Sequence, residues 1–354
     1  MKKIILATLA AAALVACAKE DVVVASKGEA IAFNNAFVDN TTKAIDPSIT
    51  NDGDNALEGF VVYGTTKGDH DGAQTVNIFN GVNVGVNIDG IGDDWKYANN
   101  LVQYWIDGNI YDFAAVVNGT VTVTPDSNGM PATIAYNATS QTDLLYAEQK
   151  GIEGKKSGNG AVAFTFDHLL SKVKVTFNNT SKASEHNKYN YKVTNVQIVG
   201  TYASADYDLT ATPQAWGVGT GSYTAQLGHI VAANANTEVT EALAIYHTSN
   251  GVSNYERLVI PGAYTALTVN CHIELYVGNV TTPVDVIEYS QPVQVTLEKG
   301  KCYNFILSAG VGEEIEFTVT QVNGWTPQGA NGVETPVEVI PSAPEHDRTP
   351  ETNN

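Results

Sequence analysis

The sequence predicts an all-β protein made of two β-sandwich domains in tandem, and three observations support this fold class. Tyrosine (17) far outnumbers methionine (2), glycine is abundant (31), and valine and threonine recur throughout, a composition typical of β-rich exported proteins. Short apolar or alternating runs are separated by turn residues roughly every eight to twelve positions, as in β-sandwiches. A length of 354 residues suggests two domains, at a usual size of about 150 residues each.

The first 16 residues have the features of a secretory signal peptide. Two lysines precede the apolar run Ile4 to Ala16, which is too short for a membrane span, since a span takes roughly 20 residues. The run ends in Leu-Val-Ala followed by Cys17, a match to the bacterial lipobox. We therefore predict cleavage between Ala16 and Cys17, and a lipid on Cys17.

Residues 17–43 are predicted to form a lipid-anchored leader that contains one removable strand. Ile31 and Phe33 alternate with other residues in a short strand-like run, so both side chains would lie on one face. The polar stretch at Lys43 and Ala44 is of the kind that proteases cut. Cleavage there would separate the strand from the domain that it completes. The alternative is that the leader is only a flexible tether.

The N-terminal sandwich is predicted to cover residues 44–158 and the C-terminal sandwich residues 159–326. The boundary lies in a stretch rich in glycine and lysine, residues 151–160. The strands predicted for the first domain include 59–64, 76–79, 110–117, 121–124, 133–136 and 144–147. Those for the second are 162–166, 170–177, 191–200, 242–247, 257–261, 267–277, 293–297, 303–307 and 315–322.

The run 170–177 alternates most clearly. One of its faces is apolar (Val173, Val175 and Phe177), and the other is polar (Lys172, Lys174 and Thr176). This pattern predicts that the apolar face meets the core and that the polar face meets water.

After Trp325 the sequence becomes proline-rich, and residues 327–354 are predicted to form a tail. Five of the chain's 12 prolines fall there, which excludes a central strand for the tail as a whole. A part of it could still pair at a sheet edge or be donated to another molecule. The candidate donor residues are Val333, Val337, Val339 and Ile340. The strand at 315–322 is a rival donor.

Charge and cysteine content restrict the function further. The formal net charge is −19, and such an acidic surface repels nucleic acid, so nucleic-acid binding is excluded. Besides Cys17 the chain has Cys271 and Cys302, both in strand-like runs. They could form a disulfide, since an exported protein meets oxidising conditions. They could equally be two buried thiols.

No catalytic site, metal site or cofactor is predicted. The loop 154–157 lacks the glycine spacing of a phosphate-binding loop, and no Gly-x-Ser-x-Gly motif occurs. Asp52 with Asp54, and Asp69 with Asp71, could bind calcium, but solvated acidic loops are far more common. The sequence therefore predicts a protein that is not an enzyme.

Taken in order, several segments resemble the fimbrillins, the subunits of type V pili of Gram-negative anaerobes. The segments that carry the resemblance are the lipobox at Cys17, 31–33, 42–44, 111–115, 143–147, 168–175, 258–261 and 303–305. They cover nearly the whole chain as far as Trp325. Lys43 stands where the family often has arginine, which leaves the identity of the maturation protease open.

The resemblance implies two transthyretin-like, Greek-key β-sandwich domains and export as a surface-exposed lipoprotein of the outer membrane. It also implies removal of the first strand and assembly into a fimbrium by strand exchange, with other pilus subunits as partners. Residues 168–175 would then be a fold signature rather than an active site. The alternative function is a monomeric surface lipoprotein that binds glycan or host protein through exposed aromatic rings. The rings considered for that role are Trp95, Tyr97, Tyr104, Trp105 and Trp216.

Overall fold

The computed structural model describes residues 28–38, 57, 59–86, 95–98, 102–117, 121–179, 189–230, 243–244, 247–249, 252–254, 256–278, 281–310, 314–323, 335–336, 340–341 and 345–347. Nearly all of the regular secondary structure in these residues is β-strand, so the predicted all-β class is confirmed. A short 3-10 turn occurs at Ala138–Ser140. Nothing helical in the described ranges has the length and apolar character that a membrane span requires.

The strands up to the middle of the chain are β1 Ala32–Val38, β2 Gly59–Lys67, β3 Thr75–Val86, β4 Trp95–Tyr97, β5 Ile110–Val117, β6 Thr122–Pro125, β7 Pro131–Asn137, β8 Leu145–Glu153, β9 Ala161–His168, β10 Ser171–Asn179 and β11 Tyr189–Thr201. Those that follow are β12 Ser204–Asp208, β13 Ala215–Trp216, β14 Tyr223–Ile230, β15 Leu243–Ala244, β16 His247–Ser249, β17 Val252–Asn254, β18 Glu256–Val259, β19 Gly262–Val277, β20 Asp285–Leu297, β21 Lys301–Ala309, β22 Glu316–Asn323, β23 Thr335–Pro336, β24 Ile340–Pro341 and β25 Glu345–Asp347.

The first sheet has seven strands in the order β1-β9-β8-β5-β2-β3-β4. Its two end strands approach each other, because the rings of Phe33 on β1 and Tyr97 on β4 are 5.7 Å apart between centroids. The sheet therefore curls around a first core that is rich in aromatic side chains. Its buried aromatic members are Phe33, Phe60, Phe79, Trp105, Tyr111, Phe113, Phe164 and Phe166.

A small sheet of four strands, in the order β13-β12-β7-β6, packs against the outer face of the first sheet. Tyr63 and Tyr146 of the first sheet share a buried cluster there with Tyr136 and Tyr207 of the small sheet. The small sheet joins strands from both sides of the predicted boundary at 158/159, and β9 belongs to the first sheet. That boundary therefore does not coincide with a change of sheet.

The C-terminal part of the chain forms a sandwich of two six-stranded sheets. One has the order β15-β10-β21-β22-β23, with β18 also on β10, and the other has the order β14-β11-β19-β20-β24, with β25 also on β20. The second core lies between them and takes in the apolar face of β10. A separate two-stranded hairpin consists of β16 and β17.

The prediction that the polar face of β10 meets water was wrong at two positions. Lys172 is buried, with its Nζ 2.8 Å from Oε2 of Glu256 on β18. Thr176 is also buried and donates a hydrogen bond of 2.8 Å to Oδ1 of Asn304 on β21. Both neighbouring strands supply polar partners, so these residues are satisfied without water.

Candidate functional site: the groove of the first strand

The first strand, β1, lies at an edge of the first sheet and pairs in parallel with β9. The ladder has five residue pairs, from Ala32 opposite Ala161 to Val38 opposite Phe166, with an irregularity after Asn34. β9 pairs with β8 only at Leu145–His168 and Tyr146–Asp167. In the described ladders, β1 is therefore the main pairing partner of β9.

The backbone just before β1 is held by a second segment. The amide of Ile31 donates to the carbonyl of Gln103 at 2.8 Å, and the amide of Trp105 donates to the carbonyl of Glu29 at 3.0 Å. Gly28 lies so close to Trp105 that a Cβ atom at residue 28 would be 2.1 Å from the Trp105 carbonyl oxygen. Only glycine fits there without a shift of the backbone.

β1 occupies a groove between β9 and β4, the two strands that flank it. The side chains of Ile31 and Phe33 fill this groove. Their relative exposures are 1% and 3%, and both belong to the first core. Phe33 meets five aromatic rings at centroid distances between 5.5 and 6.0 Å, which are Phe60, Phe79, Tyr97, Phe113 and Phe164. Four of the five contacts are edge-on, an arrangement that favours aromatic pairs beyond simple burial. The first core therefore depends on a side chain of β1.

Two polar groups beside the groove have no hydrogen-bond partner among the described residues. They are the indole N–H of Trp105 and the hydroxyl of Tyr97. Burial raises the pKa of the Tyr97 hydroxyl above its ordinary value. The groove is therefore closely packed, but two of its buried polar groups lack a hydrogen-bond partner among the described residues.

Several predicted site residues lie outside the described residues. These are the lipidation and signal-cleavage pair Ala16 and Cys17, the maturation pair Lys43 and Ala44, and three of the four candidate donor residues, Val333, Val337 and Val339. The fourth, Ile340, begins β24, which pairs with β20 in the same chain. Two other pieces of the tail, β23 and β25, pair with β22 and β20.

The two cysteines are separate. Cys271 and Cys302 are both buried, and they are not bonded to each other. Cys271 points into the second core from β19, whereas Cys302 alternates with the core residues Tyr303 and Phe305 of β21 and so points away from that core. Of the two alternatives, the disulfide is therefore not formed, because Cys271 points into the second core from one sheet and Cys302 lies on the outer face of the other sheet.

The remaining candidates show no catalytic arrangement. Asp69 and Asp71 are exposed, and within the described residues no three His, Cys, Asp or Glu side chains are grouped so as to hold a metal ion. His168, at the start of the predicted fold signature, is buried with its Nδ1 2.7 Å from Oδ2 of Asp143, which is also buried. This pair lies where the chain leaves the first sheet.

The aromatic rings considered for glycan binding differ in exposure. Trp105 is fully buried at 1%. The others are half-buried, namely Trp95, Tyr97, Tyr104 and Trp216. Trp95 and Tyr97 pack against the first core, so the groove uses these two rings for its wall.

Comparison with known proteins identifies related folds. The sequence model of the fimbrillin-like family matches residues 42–325. A crystal structure of a fimbrial protein from Bacteroides vulgatus aligns with a TM-score of 0.54 at 18% identity, over 76% of this chain and 93% of that chain. A candidate cell adhesion protein from Bacteroides ovatus aligns with a TM-score of 0.47 at 15% identity, over 85% of this chain and 99% of that chain. No match to a curated protein sequence was found.

Proposed function

Because this chain belongs to the fimbrillin-like family, we propose that it is a structural subunit of a type V fimbria that supports adhesion. It is exported as a lipoprotein anchored at Cys17 and lies on the cell surface in the outer membrane. A protease then cuts between Lys43 and Ala44, and the subunit polymerises with other pilus subunits by strand exchange. No catalytic role or cofactor is part of the proposal.

The observation that carries the proposal is the burial of Ile31 and Phe33 in the first core. Both residues lie upstream of the predicted cleavage site, so one cut would free a strand that the sheet needs. Each buried side chain of this kind contributes roughly 1.5–3 kcal/mol, and each backbone bond contributes about 1 kcal/mol net. A replacement strand of similar length could reach on the order of 10 kcal/mol before ordering costs.

Loss of the strand would leave a groove that another strand could fill. The edge of β9 and the pocket around Phe33 would both be exposed. A strand added by β-augmentation would pair with that edge and fill that pocket with its side chains. Before the cut, the leader strand competes from within the same chain at high effective concentration. The precursor should therefore stay monomeric.

The tail is the proposed source of the replacement strand. In the described residues it pairs with the edges of its own C-terminal sandwich in pieces of two or three residues. Such short ladders separate at little cost, because each lost backbone bond is offset by regained chain entropy. The tail of one subunit could then enter the groove of the next.

The switch is tested with Lys43→Ala, exposed to a lysine-cutting protease that processes the unmodified protein. The matched control is Lys27→Ala, which removes a leader lysine on the other side of the strand. Electron microscopy should show fibres from the control and monomers from the Lys43 variant. Fibres from uncut Lys43→Ala, or surface protein that never begins near Ala44, would contradict the proposal.

A further inference from the structure

A cleft that is separate from the groove of the first strand lies among residues 202–299. It has a volume of about 770 Å³ and opens where the small sheet meets the C-terminal sandwich. Aromatic side chains line it, among them Tyr202, Tyr207 and Trp216, together with the polar residues Gln214 and Lys299. Most of the other lining residues are small or apolar. A mainly apolar lining that includes aromatic rings and a few polar groups, at a volume of roughly 300–1,000 Å³, is typical of ligand sites.

The aromatic lining is held in place by hydrogen bonds and close packing. The indole N–H of Trp216 donates to the carbonyl of Leu169 at 2.7 Å. The hydroxyl of Tyr202 donates to the carbonyl of Ala263 at 3.2 Å. A Cβ atom at Gly219 would lie 2.1 Å from Cγ of Tyr202, so glycine there allows the ring to pack directly on the backbone. The rings are therefore arranged before any ligand arrives, which lowers the entropy cost of binding.

The cleft carries a positive charge that no carboxylate in the described part of the chain neutralises. Nζ of Lys299 lies 5.6 Å from the ring centroid of Tyr207 and donates to its hydroxyl at 3.2 Å. No carboxylate of the described residues lies within ion-pair distance of this ammonium group. Glu298, the other charged residue of the lining, is paired with Lys301 at 2.7 Å. In a chain with a net charge of −19, this local charge favours an anionic ligand.

We propose that the cleft binds an oligosaccharide that carries a carboxylate, such as a sialic or uronic acid. The apolar face of a pyranose ring would stack on Trp216 or Tyr202, and the carboxylate would accept a charge-assisted hydrogen bond from Lys299. The amide of Gln214 supplies a donor and an acceptor for sugar hydroxyls.

A peptide fits the cleft less well than a sugar. The sheet edge beside the cleft is β13, which has only two residues, Ala215–Trp216. Peptides that bind by β-augmentation need a longer edge, because main-chain hydrogen bonds supply most of their affinity. The proposed site does not rest on fimbrial assembly, since binding can be measured on the uncut monomer.

The test measures binding to the full-length protein in detergent by titration calorimetry. The probes are 3′-sialyllactose, a hyaluronan tetrasaccharide and neutral lactose. At least one acidic sugar should bind, and about tenfold or more tightly than lactose, because a hydrogen bond to a charged group is stronger than a neutral one. The two acidic probes distinguish the sialic from the uronic source.

Two variants test the position of the site. Lys299→Gln should weaken binding of the acidic sugar about tenfold, whereas Lys67→Gln, which removes the same charge from the first sheet, should leave it unchanged. Val218 lines the cleft and is 90% exposed, so Val218→Asp should repel the ligand without disturbing the fold. This second variant remains informative if the loss of Lys299 affects Tyr207.

Three outcomes would overturn the proposal. The first is that neither acidic sugar binds at millimolar concentration. The second is that the acidic sugar binds equally well to Lys299→Gln and Val218→Asp. The third is that the occupant is a peptide, so that a proline-rich acidic peptide binds in the cleft and the sugars do not displace it.

Discussion

Both ends of the described chain pair with sheet edges, but they do so in different ways. β1 is one continuous strand on one partner, β9, and it places Phe33 in the first core. The tail pairs in three short pieces on two different sheets. A strand that also fills a core is costly to remove, whereas ladders of two or three residues separate easily. In the proposed assembly, β1 therefore needs the covalent cut in order to leave, whereas the tail can detach without one.

The largest expected effect concerns Phe33. In the uncut chain, Phe33→Ala should lower the free energy of unfolding by about 3–5 kcal/mol, because it opens a cavity among five rings. Urea denaturation measures this change. A loss below about 1 kcal/mol would mean that the strand is a dispensable edge like the tail.

A matched variant separates this effect from ordinary core damage. Phe177 is 2% exposed in the second core, so Phe177→Ala should cost a similar amount before and after cleavage at Lys43. Phe33→Ala should instead have no effect on fibres made from cut protein, because residue 33 is no longer present. If fibres made from the two cut variants are destabilised alike, the first strand is still present in the fibre. The proposed difference between β1 and the tail would then be wrong.

Removal of the tail should have a smaller effect on stability. Deleting residues 331–354 should cost less than about 2 kcal/mol, since the few lost hydrogen bonds are offset by chain entropy. The shortened protein should be a folded monomer that no longer polymerises, as measured by denaturation and electron microscopy. Normal fibres would exclude the tail as donor, and unfolding would show that it is an essential part of its sandwich.

A substitution beside the groove should increase stability slightly. The buried Tyr97 hydroxyl has no partner among the described residues, so Tyr97→Phe should raise the free energy of unfolding by about 1 kcal/mol. The control is Tyr136→Phe, because the Tyr136 hydroxyl donates to the carbonyl of Thr142 at 3.0 Å. The control should lower stability by a similar amount. Equal losses in both variants would show that the groove satisfies Tyr97 after all.

The smallest expected effect is a pH dependence of the free energy of unfolding. It arises from His272, in the sheet with which most of the tail pairs. Burial lowers the pKa of His272, but its hydrogen bonds with Glu288 and Glu274 outweigh burial, so its pKa is raised. Lys192 and Tyr276 also bond to Glu274 in this cluster. Because the pKa is higher in the folded state, the stabilisation is full below the unfolded value of about 6.5 and is lost as the pH rises through the folded value.

The cluster is partly exposed, so the change should be only a few tenths of a kcal/mol. Thermal unfolding at pH 6 and pH 8 should show the lower stability at pH 8. His272→Gln should remove the difference, and a difference that survives in this variant would assign it to another group.

The strands themselves were largely predictable, because their signal is local. The run Ile110 to Val117 matches β5 in full, and alternation indicated β9 and β10. The strands β12 and β13 were not predicted. β12 pairs with β7 and with β13. Ser204 to Asp208 does alternate between polar and apolar residues, but runs of five and two residues are too short to stand out as strands.

The groove was predictable only in part. Alternation indicated that Ile31 and Phe33 share a face, but the five rings around Phe33 come from β2, β3, β4, β5 and β9. Phe164 alternates with exposed residues along β9, which was the only local signal that it faces a core. The prediction that Lys172 faces water failed because alternation does not reveal what covers the second face of a strand.

The parallel ladder between β1 and β9 also bears on the order of folding. Ala32 pairs with Ala161, so this ladder closes a far longer loop than the hairpins β2-β3 and β8-β9 do. Such non-local contacts form slowly, because loop-closure entropy is lost before the contacts form. We expect the first strand to dock after the hairpins of its sheet. In a newly made chain the groove is therefore open for an interval, and the attachment of β1 to the same chain shortens that interval before a foreign strand arrives.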